Sequence, residues 1–132
     1  MNLYIGQEAR ISKRFSESEV RMFAALSMDT NPIHLDEEYA GNFLFGRRIV
    51  HGFLTGSLIS AVIGTLMPGP GAIYLHQEMD FVAPVFHDEE ITAIVRVTGK
   101  KEGKDIYYLE TQCVGENNEV KITGKAIIKY KG

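Results

Sequence analysis

Polar and apolar residues alternate over several stretches of the chain, and this period of two predicts β-strands. The first predicted strand runs from Tyr4 to Lys13. Four more strands follow residue 72, and their alternate positions carry Ile73, Leu75, Met79, Phe81 and Ala83; Ile91, Ala93, Val95 and Val97; Tyr107, Leu109, Thr111 and Cys113; and Val120, Ile122, Ala126 and Ile128. In the last strand, Lys121, Lys125 and Lys129 are expected to face solvent. Turn-rich residues at 100–104 and 115–118 predict hairpins between these neighbours.

A first helix is predicted directly after the first strand. Ser16 and Glu19 form an S-x-x-E capping box, which marks a helix N-terminus. Apolar residues then recur at helical spacing, as in Val20, Phe23 and Ala24. This helix is expected to be amphipathic and to end near Met28.

The longest apolar run extends from Val50 to Met67 and predicts a second helix, which the Pro68–Gly71 segment ends. The helix is apolar on nearly all sides, so either a sheet surrounds it or it lies in a membrane. We favour the sheet, because polar residues such as His51 and Ser57 interrupt the run and strand patterns follow at once.

One flank of this helix carries almost no side-chain bulk. Gly52, Gly56, Ser60 and Gly64 stand at successive i+4 positions, which share one face of a helix. Something must therefore approach that face closely. Two occupants are open at this point, a tightly packed sheet and a slender ligand.

These elements predict an α+β fold, in which a curved antiparallel β-sheet of about five strands wraps round one long central helix. The chain of 132 residues is expected to form a single domain over 1–132. An open sheet ends in an edge strand that needs covering, and we therefore expect a homodimer.

Composition and charge narrow the function classes. The net charge is −3 and the basic residues form no cluster suited to a phosphate backbone, which argues against nucleic acid as a partner. The single cysteine, Cys113, rules out an intrachain disulfide and fits a reducing compartment. The Cys and His spacing matches no zinc motif, and the first residues do not resemble a signal peptide. A cytoplasmic location without membrane partners is predicted.

The segment from Asp29 to Asp36 combines acid–base side chains with a constrained backbone. Asn31 and Pro32 disfavour any continuing helix, so Asp29 and His34 are expected on a short loop, close enough to share one water. The structural alternative is that the Asn and Asp residues cap a turn while His34 packs in the core.

The motif Asp29-x-Asn31-Pro32-x-His34-x-Asp36, followed by Ile49-Val50-His51-Gly52 and by Ser60, resembles the signature of the MaoC-like (R)-specific enoyl-CoA hydratases, also called hydratase 2. The resemblance implies a hot dog fold over essentially the whole chain. The family's functional positions fall on catalytic Asp29 and His34, structural Asn31, oxyanion-hole Gly52 and supporting Ser60.

The resemblance implies syn addition of water to trans-2-enoyl-CoA, which gives (R)-3-hydroxyacyl-CoA. That reaction needs a base for the water, a proton for C2 and a donor for the enolate oxygen. Asp29 and His34 can act as one acid–base unit, in which the sequence leaves the order of roles open. The amide of Gly52, at the N-terminus of the central helix, can donate to the oxygen.

Further residues are assigned to support and to substrate binding. His51 precedes the oxyanion-hole glycine and either supports the site or only packs. Phe53, Gly56 and Ile63 are assigned to a substrate channel, with Ile63 as the floor that favours short acyl chains. The alternative is that Ile63 faces the sheet core. No motif implies a metal or a redox cofactor, and coenzyme A belongs to the substrate.

Two other functions remain open from the sequence. A related MaoC-like dehydratase would act on another acyl-CoA or on acyl-carrier-protein thioesters with the same residues. A non-catalytic acyl-CoA-binding module that regulates a partner would have no need of the Asp29–His34 pair, which argues against it.

Overall fold

A computed structural model describes residues 1–132 and contains one antiparallel sheet of five strands. The strands are β1 (Glu8–Arg14), β2 (Ile73–Phe81), β3 (Glu90–Lys100), β4 (Ile106–Val114) and β5 (Val120–Lys129). They lie in the order β1-β3-β4-β5-β2, so the predicted hairpins β3–β4 and β4–β5 are confirmed. The first strand begins at Glu8, later than predicted, because a turn at Gly6 (φ +93°) precedes it.

Four α-helices accompany the sheet: α1 (Glu17–Ser27), α2 (Pro32–Leu35), α3 (Glu37–Gly41) and α4 (Gly52–Thr65). The capping box of α1 is confirmed, since Ser16 Oγ accepts from the Glu19 N–H and the Glu19 carboxylate accepts from the Ser16 N–H. The predicted Val50–Met67 helix is shorter at both ends. None of these helices could cross a bilayer.

Helix α4 is the central element of the core. It packs mainly against β3 and also touches β1 and β4. Its buried side chains include Leu58, Ile59, Val62 and Ile63. They meet the inward positions of β3, which are buried as the alternation predicted: Ile91, Ala93, Val95 and Val97.

The small flank of α4 is covered by the sheet over its first half. A Cβ at Gly52 would lie 2.5 Å from Phe81 Cε1, and one at Gly56 would lie 2.7 Å from Met79 Sδ. Strand β2 therefore approaches these two glycines closely, as the sheet alternative requires. Gly64 has no such neighbour within 4 Å, so the second half of the flank is open.

The prediction that Lys121 faces solvent is wrong. Lys121 is only 2% exposed, and its ammonium group donates to the Pro84 carbonyl at 2.8 Å. It also pairs with Glu89 at 3.1 Å and with Glu119. Burial alone would lower the pKa of Lys121, but the two carboxylates outweigh it and raise that pKa. The pairing of β4 with β5 shifts register at Lys121, which interrupts the alternation there, and Pro84 and Glu89 of the loop before β3 cover its side chain.

Candidate active site

The sequence around Asp29 folds into a tight corner after α1. Met28 adopts the left-handed conformation (φ 69°) and ends the helix. Asn31 then caps the next turn, because its Oδ1 accepts from the Ile33 N–H at 3.2 Å. The Asn31 N–H donates to Asp29 Oδ1 at 3.3 Å, which fixes the carboxylate relative to the cap.

His34 lies on α2, a single helical turn that begins at Pro32, and not on a loop as predicted. Proline is favoured at the first position of a helix, since its missing N–H would have no partner there. The turn directs the His34 ring inward, where the residue is 8% exposed. A motif that looked like a helix breaker therefore starts a new short helix.

The tautomer of His34 follows from its hydrogen bond. Nδ1 lies 2.8 Å from the carbonyl oxygen of Ile49. A carbonyl can only accept, so Nδ1 carries the hydrogen and Nε2 keeps its lone pair. Burial lowers the pKa of His34, the hydrogen bond to Ile49 opposes this shift, and neighbouring His51 lowers the pKa further. The lowered pKa favours the neutral ring, in which Nε2 keeps its lone pair.

His51 lies beside His34 and immediately before α4. The two rings stack with centroids 3.8 Å apart, and Phe23 packs edge-on against His51 at 4.9 Å. His51 Nε2 lies 3.0 Å from the backbone oxygen of Asp29, so Nε2 carries the hydrogen. His51 is 1% exposed, and its Nδ1 is buried without a hydrogen-bond partner.

The structure brings the predicted acid–base pair together and adds His51 to it. One carboxylate oxygen of Asp29 and one ring nitrogen each of His34 and His51 lie within 4.8 Å of one another. Asp29 is exposed, whereas both histidines are buried. A water or a substrate can therefore reach the carboxylate from solvent while the imidazoles stay fixed beneath it.

Gly52 is the first residue of α4, so no carbonyl of the same helix accepts from its N–H. It lines a largely apolar pocket of about 320 Å³ between the start of α4 and residues 81–85. Phe53, which was assigned to substrate binding from the sequence, also lines this pocket. An N–H with the positive end of the helix dipole, set against an apolar pocket, suits the oxygen of a bound acyl group.

Three predicted residues lie elsewhere. Gly56 is buried beneath Met79, and Ile63 belongs to the core cluster at 1% exposure, so neither lines the pocket. For Ile63 this is the alternative given above, in which it faces the sheet core. Ser60 is exposed and lies two helical turns beyond Gly52, about 12 Å along the axis. The preference for short acyl chains therefore stays a prediction without Ile63 as its cause.

Two features of the site could not be found in the sequence. The carbonyl that orients His34 belongs to the backbone of Ile49, and backbone contacts leave no trace in side-chain types. Phe81, which covers Gly52, arrives from β2, 29 positions later in the numbering. Only the alternation that placed Phe81 on the inward face hinted at this contact.

Known proteins resemble this chain in sequence and in backbone structure. The profile of the MaoC like domain matches residues 5–120. An (R)-specific enoyl-CoA hydratase from Aeromonas caviae is 47% identical over 128 residues, which cover 97% of this chain and 96% of that protein. Another from Rhodospirillum rubrum is 45% identical, with coverages of 94% and 81%. The solved (R)-hydratase from A. caviae involved in PHA biosynthesis superposes with a TM-score of 0.94 over 97% of both chains, which confirms the hot dog fold.

Proposed function

The chain belongs to the MaoC-like domain family, and from this premise we propose that it is an (R)-specific enoyl-CoA hydratase. The enzyme, a hydro-lyase, adds water reversibly to trans-2-enoyl-CoA, and residues 1–132 act as one domain. One observation carries the proposal: Asp29 and His34 meet beside His51, and the residue after His51 is Gly52, whose N–H has no acceptor within α4. The same residues can catalyse the reverse reaction, the dehydration of the 3-hydroxyacyl thioester.

Asp29 and His34 hold the attacking water between them as one acid–base unit. One of the two removes a proton as the water oxygen bonds to C3, and the C2–C3 π electrons move toward the thioester oxygen. The same proton then passes to C2 as the carbonyl re-forms, so the reaction is balanced without another reactant. Because both residues act from one side of the substrate, the addition is syn and gives a single enantiomer, and the similarity to the (R)-specific hydratases implies that this is the (R) alcohol.

Gly52 stabilises the charge that develops on the thioester oxygen. Its N–H is preorganised by the helix and lies against a largely apolar pocket, where a hydrogen bond to a developing charge is strongest. Phe53 and Phe81 also line this pocket. Asn31 holds the Asp29 loop in place. No metal or redox cofactor takes part, because proton transfer and charge stabilisation suffice.

We also propose that the enzyme is a cytoplasmic homodimer that pairs through β2. Both β1 and β2 are edges of the sheet. Strand β1 carries charged residues that discourage edge pairing, such as Arg10 and Lys13, whereas β2 exposes Ile73 and Leu75 at 55% and 51%. A second copy would cover this apolar edge. A substrate that carries coenzyme A fits the cytoplasmic location.

Asp29→Asn and His34→Ala, made separately, test the acid–base assignment. Each is expected to lower kcat by about 10²–10⁴, the usual contribution of a positioned acid or base. The double variant is expected to be little worse, because the two residues act as a unit. Loss of the enoyl-thioester absorbance is followed with crotonyl-CoA, longer enoyl-CoAs and acyl-carrier-protein thioesters. Each assay is repeated with a chelator, which should leave the rate unchanged.

Asp105→Asn and His87→Ala serve as matched controls, because both side chains lie outside the site and outside β2. These variants should retain native turnover. Near-native activity in a folded Asp29→Asn or His34→Ala protein would remove those residues from the mechanism. A native protein that turned over only acyl-carrier-protein thioesters would favour the related dehydratase, and one that bound acyl-CoA without turnover would favour the regulatory module.

A further inference from the structure

We infer that His51 is a positioning residue for this reaction, because one buried ring fixes the Asp29 backbone and one face of His34 at the start of α4. The inference rests on the proposed function and assigns His51 a part in it. His51 is not expected to touch the substrate, since its ring is 1% exposed beneath the site. Its effect would pass through the residues that do.

The side chain of His51 holds the backbone of Asp29 through a hydrogen bond. His51 Nε2–H donates to the Asp29 carbonyl at 3.0 Å. Asp29 follows the left-handed Met28 and is exposed, and its own N–H donates only to Ser27 Oγ at 3.1 Å. The bond from His51 is therefore the tie that joins the Asp29 backbone to the core. Without it, the carboxylate could move relative to His34.

The ring of His51 also restricts the orientation of the His34 ring. It lies between Phe23 of α1 and His34 of α2, with an edge-on contact on one side and a stacked contact at 3.8 Å on the other. His34 is held from its other end by the Ile49 carbonyl. The His34 ring therefore has one orientation, in which Nε2 is the free nitrogen.

The backbone of His51 lies at the start of α4, directly before Gly52. His51 is the N-cap of α4, and its backbone oxygen accepts from the Thr55 N–H at 3.0 Å. Gly52, the proposed oxyanion donor, is the next residue. The backbone of His51 thus sets the oxyanion donor, while its side chain sets the acid–base pair. A displacement of about 1 Å at such a point can cost about 10²-fold in rate.

The unpartnered Nδ1 of His51 fits this role. A proton on Nδ1 would be buried without an acceptor, and it would place a charge against His34, the ring stacked on it. The contacts of the His51 side chain are to Phe23, His34 and the Asp29 carbonyl, so the ring is suited to holding its neighbours.

Three substitutions separate the hydrogen bond from simple packing. His51→Gln keeps an N–H donor near the place of Nε2, whereas His51→Phe keeps a ring and His51→Met keeps an unbranched apolar side chain, both without a donor. The Phe and Met variants are expected to lower kcat about 10- to 100-fold, with KM for crotonyl-CoA changed less than about threefold. The Gln variant should recover most of the lost kcat. His87→Gln, at a histidine that has its own unpartnered Nε2 outside the site, serves as the control.

Only the folded fraction of each variant, measured by circular dichroism, enters the comparison. A Gln variant that loses as much kcat as the folded Phe or Met variant would overturn the inference, and so would a folded Phe or Met variant with native kcat. Both results leave the native turnover intact and are thus distinct from failure of the proposed function. If the native protein hydrates no enoyl thioester, the proposed function fails and the inference fails with it.

Discussion

At the scale of single residues, the site depends on which ring nitrogens carry hydrogen. His34 donates through Nδ1 to Ile49, and His51 donates through Nε2 to Asp29. Two backbone carbonyls thereby select two different tautomers in rings that stack on each other. The free Nε2 of His34 is the result, and the lowered pKa of His34 keeps it free at neutral pH.

The oxyanion role of Gly52 can be tested at the same scale by removing its N–H. Gly52→Pro deletes the donor at a position where proline is favoured, and His51 already has the extended backbone (ψ 134°) that a residue before proline adopts. We expect kcat for crotonyl-CoA to fall about 10²–10³-fold relative to Gly52→Ala, the usual effect of losing one oxyanion donor.

Gly52→Ala is the matched control, because it adds the same Cβ next to Phe81 but keeps the N–H. Both variants therefore displace the Phe81 ring, and only one lacks the donor. Melting temperatures identify any variant that has lost its fold. Equal kcat values in the two folded variants would show that this amide does not bind the thioester oxygen.

At the scale of elements, the sequence predicted the helix and strand features that depend on residues close together in the chain. The capping box located the start of α1, and strict alternation predicted the four buried positions of β3. Helix α2 was missed because a single turn is too short to show a helical period. The burial of Lys121 was missed because its partner Glu89 lies 32 positions away in the numbering, beyond any local pattern.

The candidate site was predictable where a motif fixed residue types at short spacing. Asp29, Asn31 and His34 fall within six residues, so the backbone alone brings them together. The far end of the channel was not predictable, because the orientation of Ile63 depends on how α4 rotates against β3. Residues 52, 56, 60 and 64 defined a small flank, but the sequence could not say that Phe81 and Met79 would cover its first half.

The rotation of α4 leads to a prediction about Ile63. Because Ile63 is buried in the core, Ile63→Ala is expected to leave a cavity and to lower the free energy of unfolding by about 2–5 kcal/mol. The relative kcat/KM values for short and long enoyl-CoAs should not change. Urea unfolding and a chain-length series measure the two effects together.

Leu66→Ala provides the control for Ile63→Ala, since Leu66 lies just after α4 and is 43% exposed. This exposed substitution should change stability by about 0.5 kcal/mol or less. If Ile63→Ala gained activity toward longer acyl chains and kept its stability, Ile63 would line the end of the acyl channel, contrary to this prediction.

At the scale of the whole molecule, the two edges of the sheet differ in kind. Strand β1 ends the sheet with charged side chains such as Arg10 and Lys13, whereas β2 exposes the apolar Ile73 and Leu75 in addition to the charged Glu78 and Asp80. Asp29 is also exposed in the single chain, although an acid–base pair works best where water is limited. Both observations are consistent with a second copy of the chain.

Leu75→Lys tests the dimer through β2. We expect the native protein to sediment as a dimer and the variant to sediment as a folded monomer, because a lysine on an exposed strand edge opposes pairing. Ile5→Lys, at a residue 69% exposed near the opposite edge, should leave the dimer intact. A native monomer, or a dimer that survives Leu75→Lys unchanged, would contradict pairing through this edge.

Hydration of crotonyl-CoA in D₂O tests most directly the claim that Asp29 and His34 add water from one side of the double bond. The product is analysed for the configuration at C3 and for the position of deuterium at C2. The proposed mechanism predicts only the (R) alcohol, with one deuterium delivered to C2 on the face that received the hydroxyl group. An (S) or racemic product, or deuterium on the opposite face, would contradict it.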